Sequence, residues 1–519
     1  MNRFRELMTA GNEFILSYEL VPGRVSKGKA IDSIFRFAEQ AAKSGLIDAL
    51  SLTDNPGGGP ALSPDVLGKE IKETGIDPII HFSGKDGNRN SVESRALALN
   101  RIGIENLLVM TGDFPADGHM GLAKPVFDLD SVNLLDYLYH MNEGSQHEII
   151  HGEFSPHEKT NFFLGCVVSP FKTTEPEVMT QYYKLEKKIR SGAEYVITQL
   201  GYDTRKYHEL LRYLRSRCIE IPVIGSIFVI KKGPARQMNR GNIPGCTVTD
   251  SFLSQLEKEH LTPDKGKSAS LERAARQLAI LKGLGYNGAH IEGFGLSFDN
   301  VQTIIESSRE IGDNWREYAD HYRYSPTGTY FHFDTEKEPP NCDQDISPMR
   351  PFFRFTAMWK LHLLIFEVGT VGYKMMKRLS TWIDGHVRAL WLLYELERRS
   401  KAFLFGCRDC GDCVLPEMYF LCPESQCPKF QRIGPCGGSR DGMCEVFDDR
   451  FCVWYPVYIR ARCTGTLTSL RDFIVPPRDW TLYGTSSWLN FFLGRDHAGA
   501  TMREKHLDSC DDYKGLKQD

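Results

Sequence analysis

The chain has 519 residues, 41% hydrophobic and 25% charged, with a formal net charge of −4. That length is more than one hydrophobic core holds, so two or more domains are expected of an ordinary globular composition. The charge balance offers no basic field for nucleic acid, Met1–Gly11 is too polar for a signal peptide, and Met358–Met376 is broken by Lys360, His362, Glu367 and Lys374, which excludes a bilayer span.

Short apolar runs recur along the first 300 residues: Phe14–Pro22, Ile47–Asp54, Pro78–Lys85, Asn106–Asp113, Phe162–Pro170, Tyr195–Asp203, Pro222–Ile230 and Gly288–Gly295. Amphipathic segments lie between them, at Ala30–Ser44, Ser91–Ile102, Glu177–Ser191, Thr204–Arg217 and Ser270–Leu284. Several are followed by a glycine suited to a left-handed helix stop: Gly45, Gly103, Gly192 and Gly285. Most runs start roughly 30 residues apart, the length of one strand–helix unit, so the pattern predicts a parallel, closed (β/α)8 TIM barrel over 1–320. Two connections are long, Ala116–Thr160 and Lys231–Ala269. A polar linker is expected at 321–350, then three helices over 351–405, within a helical, cysteine-rich domain spanning 351–519.

Barrel chemistry takes place at the carboxyl ends of the strands. There the apolar runs are broken or ended by Glu19, Thr53 with Asp54, His81, Asp113, Gln199 and Glu292. A carboxylate buried without a partner or a task costs several kcal/mol, so this concentration points to a site. Two motifs are decoys. Gly283–Gly288 fits G-x-G-x-x-G, but it follows a helix and opens a strand, the reverse of a dinucleotide fingerprint. Gly266-Lys267-Ser268 lacks the earlier glycine of a phosphate loop, where Leu261 stands.

Nine of the 14 cysteines fall between Cys407 and Cys463; Cys166, Cys218, Cys246, Cys342 and Cys510 are scattered. Clustered thiols in a cytoplasmic chain, the expected location here, bind metal more often than they form disulfides. Cys407, Cys410 and Cys413 have the C-x-x-C-x-x-C spacing of ferredoxin-type iron–sulfur ligation. Cys422, Cys427, Cys436, Cys444 and Cys452 follow, too many thiolates for one tetrahedral ion. Two [4Fe–4S] clusters are the favoured reading, and structural zinc is the alternative. One partition gives Cys407, Cys410 and Cys413 to a first cluster, completed by a distal cysteine. Cys422, Cys427, Cys436 and Cys444 would then hold the second.

Ser17-Tyr18-Glu19-Leu20-Val21-Pro22 resembles the S-x-E-x-x-P opening of methylenetetrahydrofolate reductases, and Ser51-Leu52-Thr53, His81-Phe82, Thr111-Gly112-Asp113 and Ile197-Thr198-Gln199 match later strand ends of that family in order. The resemblance implies a barrel binding FAD or FMN and reducing 5,10-methylenetetrahydrofolate to 5-methyltetrahydrofolate. It implies that Glu19 is the general acid and that Asp113 lies near flavin and pterin. It makes Gln199 a folate contact, and Thr53, His81, Thr111, Gly112 and Lys188 flavin contacts. The chain departs from the family at Thr111, which replaces an arginine, at Gln181, which replaces an aspartate, and after Gly225–Phe228, where no nucleotide-stacking phenylalanine is evident. Leu404–Cys413 and Gly434–Ser439 resemble the C-terminal domain, or separate small subunit, of reductases in anaerobic one-carbon pathways. Together these imply electrons arriving through clusters from a ferredoxin or similar carrier, with a homo-oligomeric assembly expected. A non-redox folate-binding methyltransferase or accessory subunit, and a metal-stabilised interaction module with an inactive barrel, are the competing classes.

Overall fold

The computed structural model describes residues 2–150, 153–334, 352–447 and 449–498. Much of the expected linker, Cys342, Cys510 and the chain beyond residue 498 lie outside the described residues. Two compact units emerge: Met1–Thr335 with Cys436–Asp441, and Glu336–Pro435 with Gly442–Asp519.

The first unit holds eight barrel strands: β1 (Ile15–Leu20), β2 (Ala49–Leu52), β3 (Asp77–Ser83), β4 (Asn106–Met110), β5 (Phe163–Val168), β6 (Tyr195–Thr198), β7 (Val223–Phe228) and β8 (Gly288–Glu292). They close in sequence order, with β1 paired to both β2 and β8. All barrel pairings are parallel, and the strands are almost wholly buried, as expected of strands covered on both faces. This is the (β/α)8 barrel that the eight apolar runs predict.

The predicted helices are present within a few residues of their expected ends, at Lys29–Ser44, Arg89–Arg101, Glu175–Arg190, Thr204–Ser216 and Lys267–Leu284. Gly45 takes φ +65° and returns its N–H to the Ala41 carbonyl, the left-handed stop that its position predicts. Gly283–Gly288 is indeed a helix-to-strand connection. The long connections carry structure of their own: a helix at Ser131–Glu143 and a hairpin of Gln146–Ile150 with Glu153–Pro156 in one, helices Lys232–Asn239 and Asp250–Glu259 in the other.

A helix at Arg3–Ala10 precedes the barrel. Its buried Phe4 and Met8 join a core cluster with Ile15, Ala49, Ile79, Leu108, Tyr195 and Ile224, residues from the beginnings and middles of the strands. Apolar packing there leaves polar side chains to the opposite, carboxyl end.

The second unit contains helices Phe352–Ile365, Val371–Asp384 and Val387–Phe405, matching the three expected, and a further buried helix, Trp454–Cys463. The cysteine-rich stretch between them is largely irregular, and Trp454 ties it down by donating from Nε1 to the Gln431 carbonyl at 3.2 Å.

Candidate active site and metal recess

Register places the functional side chains. Glu19 of β1 pairs with Ser51 of β2, while Ser17 pairs with His290 of β8, which in turn faces Ser226 of β7. Ser17 Oγ and His290 Nδ1 lie 2.8 Å apart, and Glu19 sits 3.9 Å from His290 Nε2. Glu292, two residues along β8, completes a group whose polar atoms all lie within 4.8 Å of one another. The Glu19 side chain retains only 19% exposure, and burial pushes its carboxyl up to about 7. Glu292 is likewise pushed up to about 7, by burial first and by the Glu19 charge second. Two carboxyls that hold protons near neutrality beside a histidine form a proton-handling set.

Thr53 directly follows β2 and is buried. His81 of β3 bonds Ser51 Oγ through Nε2 at 2.7 Å, and burial, aided by the neighbouring His290, holds it down to about 3, so the ring is neutral. Asp54 accepts from Ser83 Oγ at 2.8 Å and from Arg95 at 2.8 Å, which makes it a brace under the strand ends. Beyond β4, Thr111 donates to Ser131 Oγ at 3.3 Å, and Asp113 accepts the Gly57 N–H at 2.8 Å, joining the loops after β2 and β4. Gly112 has φ +86°, and a Cβ there would stand 2.9 Å from Lys85 Cδ.

Gln199 accepts the Leu200 N–H through Oε1, and its amide nitrogen would meet a Cβ added at Gly245 at 3.3 Å. Cys246, next along that loop, is a buried thiol pushed up by burial and by the charges of Glu292, Asp113 and Glu19. The carboxylates from β1, the β4 end and β8 therefore share one electrostatic neighbourhood with the loop beside Gln199. Lys188 belongs to a different one. It donates to the Val167 carbonyl at 2.7 Å, and burial lowers it to about 8 beside Cys166 and Lys184.

The residues Cys436–Asp441 form a strap on the barrel rim. Lys172, beyond β5, donates to the carbonyls of Gly437 and Ser439; Ser439 Oγ donates to Glu177 at 2.8 Å; and Arg440 donates to the carbonyls of Met238 and Asn239. The Gly437 carbonyl stands 3.0 Å from the Cβ position of Gly245, so the strap reaches the loop beside Gln199.

Among the described residues, several buried polar atoms of the barrel have no hydrogen-bond partner within the chain: Thr53 Oγ1, Ser169 Oγ, Gln181 Nε2 and His290 Nε2. Buried donors and acceptors left this way are costly unless another molecule meets them. Thr53 and Ser169 stand at strand ends, and Gln181 flanks the strap. Thr53 Oγ1 and His290 Nε2 belong to strand-end and strand residues of the barrel and have hydrogen-bonding capacity left for a bound polar heterocycle.

In the second unit, Cys407, Cys410, Cys413 and Cys422 line one recess with Lys401, Phe405, Val414 and Leu415. Cys422 thus stands with the C-x-x-C-x-x-C run and not with Cys427 as the sequence partition has it. The connection from Val414 to Leu421 turns back through left-handed Tyr419 and Phe420, which sequence spacing alone does not reveal. Burial raises the Cys427 thiol, with the nearby Cys444 a lesser contributor, and the Cys452 N–H bonds the Gly442 carbonyl. Cys436 lies in the barrel unit, on the strap. Four thiols around one recess would hold an iron–sulfur cluster through four thiolates; no three of their sulfurs lie within 4.8 Å of one another, wider than the spacing around a single zinc ion.

Ser17 and His290 escape the sequence reading. A serine or histidine inside an apolar strand run carries no signal of its own; spacing two residues from Glu19 and from Glu292, on the same strand face, was the available clue.

Fold and site together define a TIM-barrel protein with an acid-bearing mouth at the carboxyl ends of its strands. Residues 3–307 match the family described as methylenetetrahydrofolate reductase, and residues 391–481 match the methylene-tetrahydrofolate reductase C-terminal family. The chain belongs to the methylenetetrahydrofolate reductase family. It is 21% identical over 275 residues to methylenetetrahydrofolate reductase 2 of Saccharomyces cerevisiae, a match covering 50% of this chain and 42% of that relative's length. Among solved structures, a protein from Clostridium thermocellum described as binding two copies of 5-methyl-5,6,7,8-tetrahydrofolic acid is 14% identical with a TM-score of 0.43, covering 59% of this chain and 98% of that one. The 7,8-dihydropteroate synthase of Vibrio fischeri is 10% identical with a TM-score of 0.33, covering 58% and 92%. No helix among the described residues is long and apolar enough to cross a membrane.

Proposed function

We propose that the chain reduces 5,10-methylenetetrahydrofolate to 5-methyltetrahydrofolate, or runs the reverse, with a flavin in the barrel and electrons delivered through clusters in the cysteine-rich unit. Family membership supports the substrate class, and the single observation that carries the chemistry is Glu19: a carboxyl pushed up to about 7 at the barrel mouth. Reduced flavin supplies the hydride when bound. Glu19 holds the proton that goes to the ring nitrogen of the substrate, so that the five-membered ring opens to an iminium cation ready to accept hydride. His290, fixed by Ser17, lies beside Glu19, and Asp113 places negative charge where the cation develops. Gln199 presents paired amide donor and acceptor groups to the pterin edge. Thr53 offers a flavin contact through its unpartnered Oγ1 and His81 through its buried ring, Thr111 and Gly112 shape the turn beside them, and Lys188, which gives one proton to the Val167 carbonyl, has two more to offer a flavin.

Electron entry through metal is supported by the recess of Cys407, Cys410, Cys413 and Cys422, by the further cysteines Cys427, Cys436, Cys444 and Cys452, and by the departures at Thr111, Gln181 and the β7 end. A ferredoxin-type carrier is the partner this implies. Anaerobic titration of the oxidised protein tests it: reduced ferredoxin bleaches the flavin band in seconds while NADH does not. Rapid bleaching by NADH alone refutes cluster delivery.

A further inference from the structure

Resting on the cluster reading above, we infer that Lys401 is a positioning residue of the cysteine recess: a buried ammonium that holds the Cys413 sulfur and sets the reduction potential of the cluster bound there. Lys401 lies on the helix Val387–Phe405, in the last turn before the C-x-x-C-x-x-C run begins, and is almost wholly buried. Its Nζ has three protons, and each has an acceptor: Glu397 Oε1 at 3.1 Å, Ser487 Oγ at 2.6 Å and Cys413 Sγ at 3.2 Å.

The geometry is more than a buried ion pair. Glu397, one turn earlier on the same helix, accepts from Ser486 Oγ at 2.5 Å, from Ser487 Oγ at 2.6 Å and from the Trp488 N–H at 3.3 Å. The carboxylate is therefore fixed on both oxygens, and it fixes the ammonium in turn. A lysine serving only to neutralise Glu397 would have no reason to spend its third proton on sulfur. A neutral thiol is a weak acceptor, whereas a thiolate bound to metal takes a charge-assisted hydrogen bond readily.

The consequence is electrostatic. One-electron reduction by a ferredoxin-class donor adds one negative charge to the cluster, part of it on the ligand sulfurs. A fixed positive charge one hydrogen bond from Cys413 favours that reduced form, and hydrogen bonds to cluster sulfurs raise the potential. Lys401 thereby makes the recess easier to reduce than the same four thiolates in an apolar pocket.

The test uses the full chain, anaerobically loaded with iron and sulfide, as wild type, Lys401→Met and Lys401→Arg. Metal analysis of the wild type comes first: zinc in place of iron removes the cluster reading, and with it this inference, before any variant is compared. With iron present, potentiometric titration followed by electron paramagnetic resonance is expected to show a more negative potential in K401M, with the equilibrium constant for reduction falling roughly tenfold or more, and a potential near wild type in K401R. Iron lost from K401M but retained by K401R also supports the charge. An unchanged potential in iron-replete K401M overturns the inference, and so does loss of iron from both variants, which would make Lys401 a packing residue.

Discussion

Replacing Glu19 by Gln separates the energetic penalty of the acid from its chemical use. The carboxyl moves from an ordinary value of 4.5 to about 7 on folding, because burial disfavours its charged form. Each tenfold change in proton affinity is about 1.4 kcal/mol, so above pH 7 the ionised side chain costs about 3 kcal/mol of stability. The sign follows from linkage. Below pH 4.5 the side chain is neutral in both folded and unfolded chains and no penalty exists. Between 4.5 and 7 only the unfolded chain ionises, so stability falls as pH rises, and above 7 the loss is complete. Glu19→Gln removes this term, and relief of Glu292, which the Glu19 charge raises, adds to it in the same direction. Chemical unfolding of the barrel at pH 4.5 and pH 8.5 is the assay. The variant gains about 3 kcal/mol over wild type between the two pH values, while folate turnover falls by about 10²–10⁴-fold and flavin reduction by the donor persists. A stability difference that does not change with pH refutes the desolvated acid; unchanged turnover removes Glu19 from proton donation.

Gly112→Ala forces a Cβ onto φ +86° and against Lys85, so a loss of about 2–4 kcal/mol is expected in denaturant unfolding, together with weakened flavin retention on gel filtration. Lys172→Met leaves the Gly437 and Ser439 carbonyls without their ammonium, and limited trypsin digestion is expected to cut at Arg440 several-fold faster than in wild type. Cys422→Ser is expected to lose the metal of the recess to the same extent as Cys407→Ser, measured as iron per chain; full retention in C422S would return Cys422 to the second group.

The barrel was legible because its signal is collective: strands buried on both faces are continuous apolar runs, and helices ending in Gly45, Gly103, Gly192 and Gly285 mark the repeat. Polar breaks at the run ends, Glu19 and Glu292 among them, located the mouth for the same reason. What stayed hidden depends on contacts between distant segments. Met1–Gly11 reads only as a charged, polar stretch, yet Phe4 packs edge-on against Phe163 and Tyr195 in the barrel core. Ser17 and His290 become a pair only when β1 meets β8. The segment Gly434–Ser439 reads as part of a metal motif, while residues from Cys436 onward lie on the barrel rim, held by Lys172 and Glu177. Lys188, late in its helix, could be read as a surface charge, yet it is buried and donates to a strand carbonyl.

The proposed reaction requires a flavin beside Glu19, Asp113 and Gln199, and one spectrum addresses that directly. Protein purified without oxygen is reduced with dithionite, freed of excess reductant and mixed with 5,10-methylenetetrahydrofolate while the flavin absorption near about 450 nm is followed. Return of the oxidised flavin band with one 5-methyltetrahydrofolate formed per flavin is the predicted result. A colourless protein, or a reduced flavin that the folate leaves untouched, contradicts it.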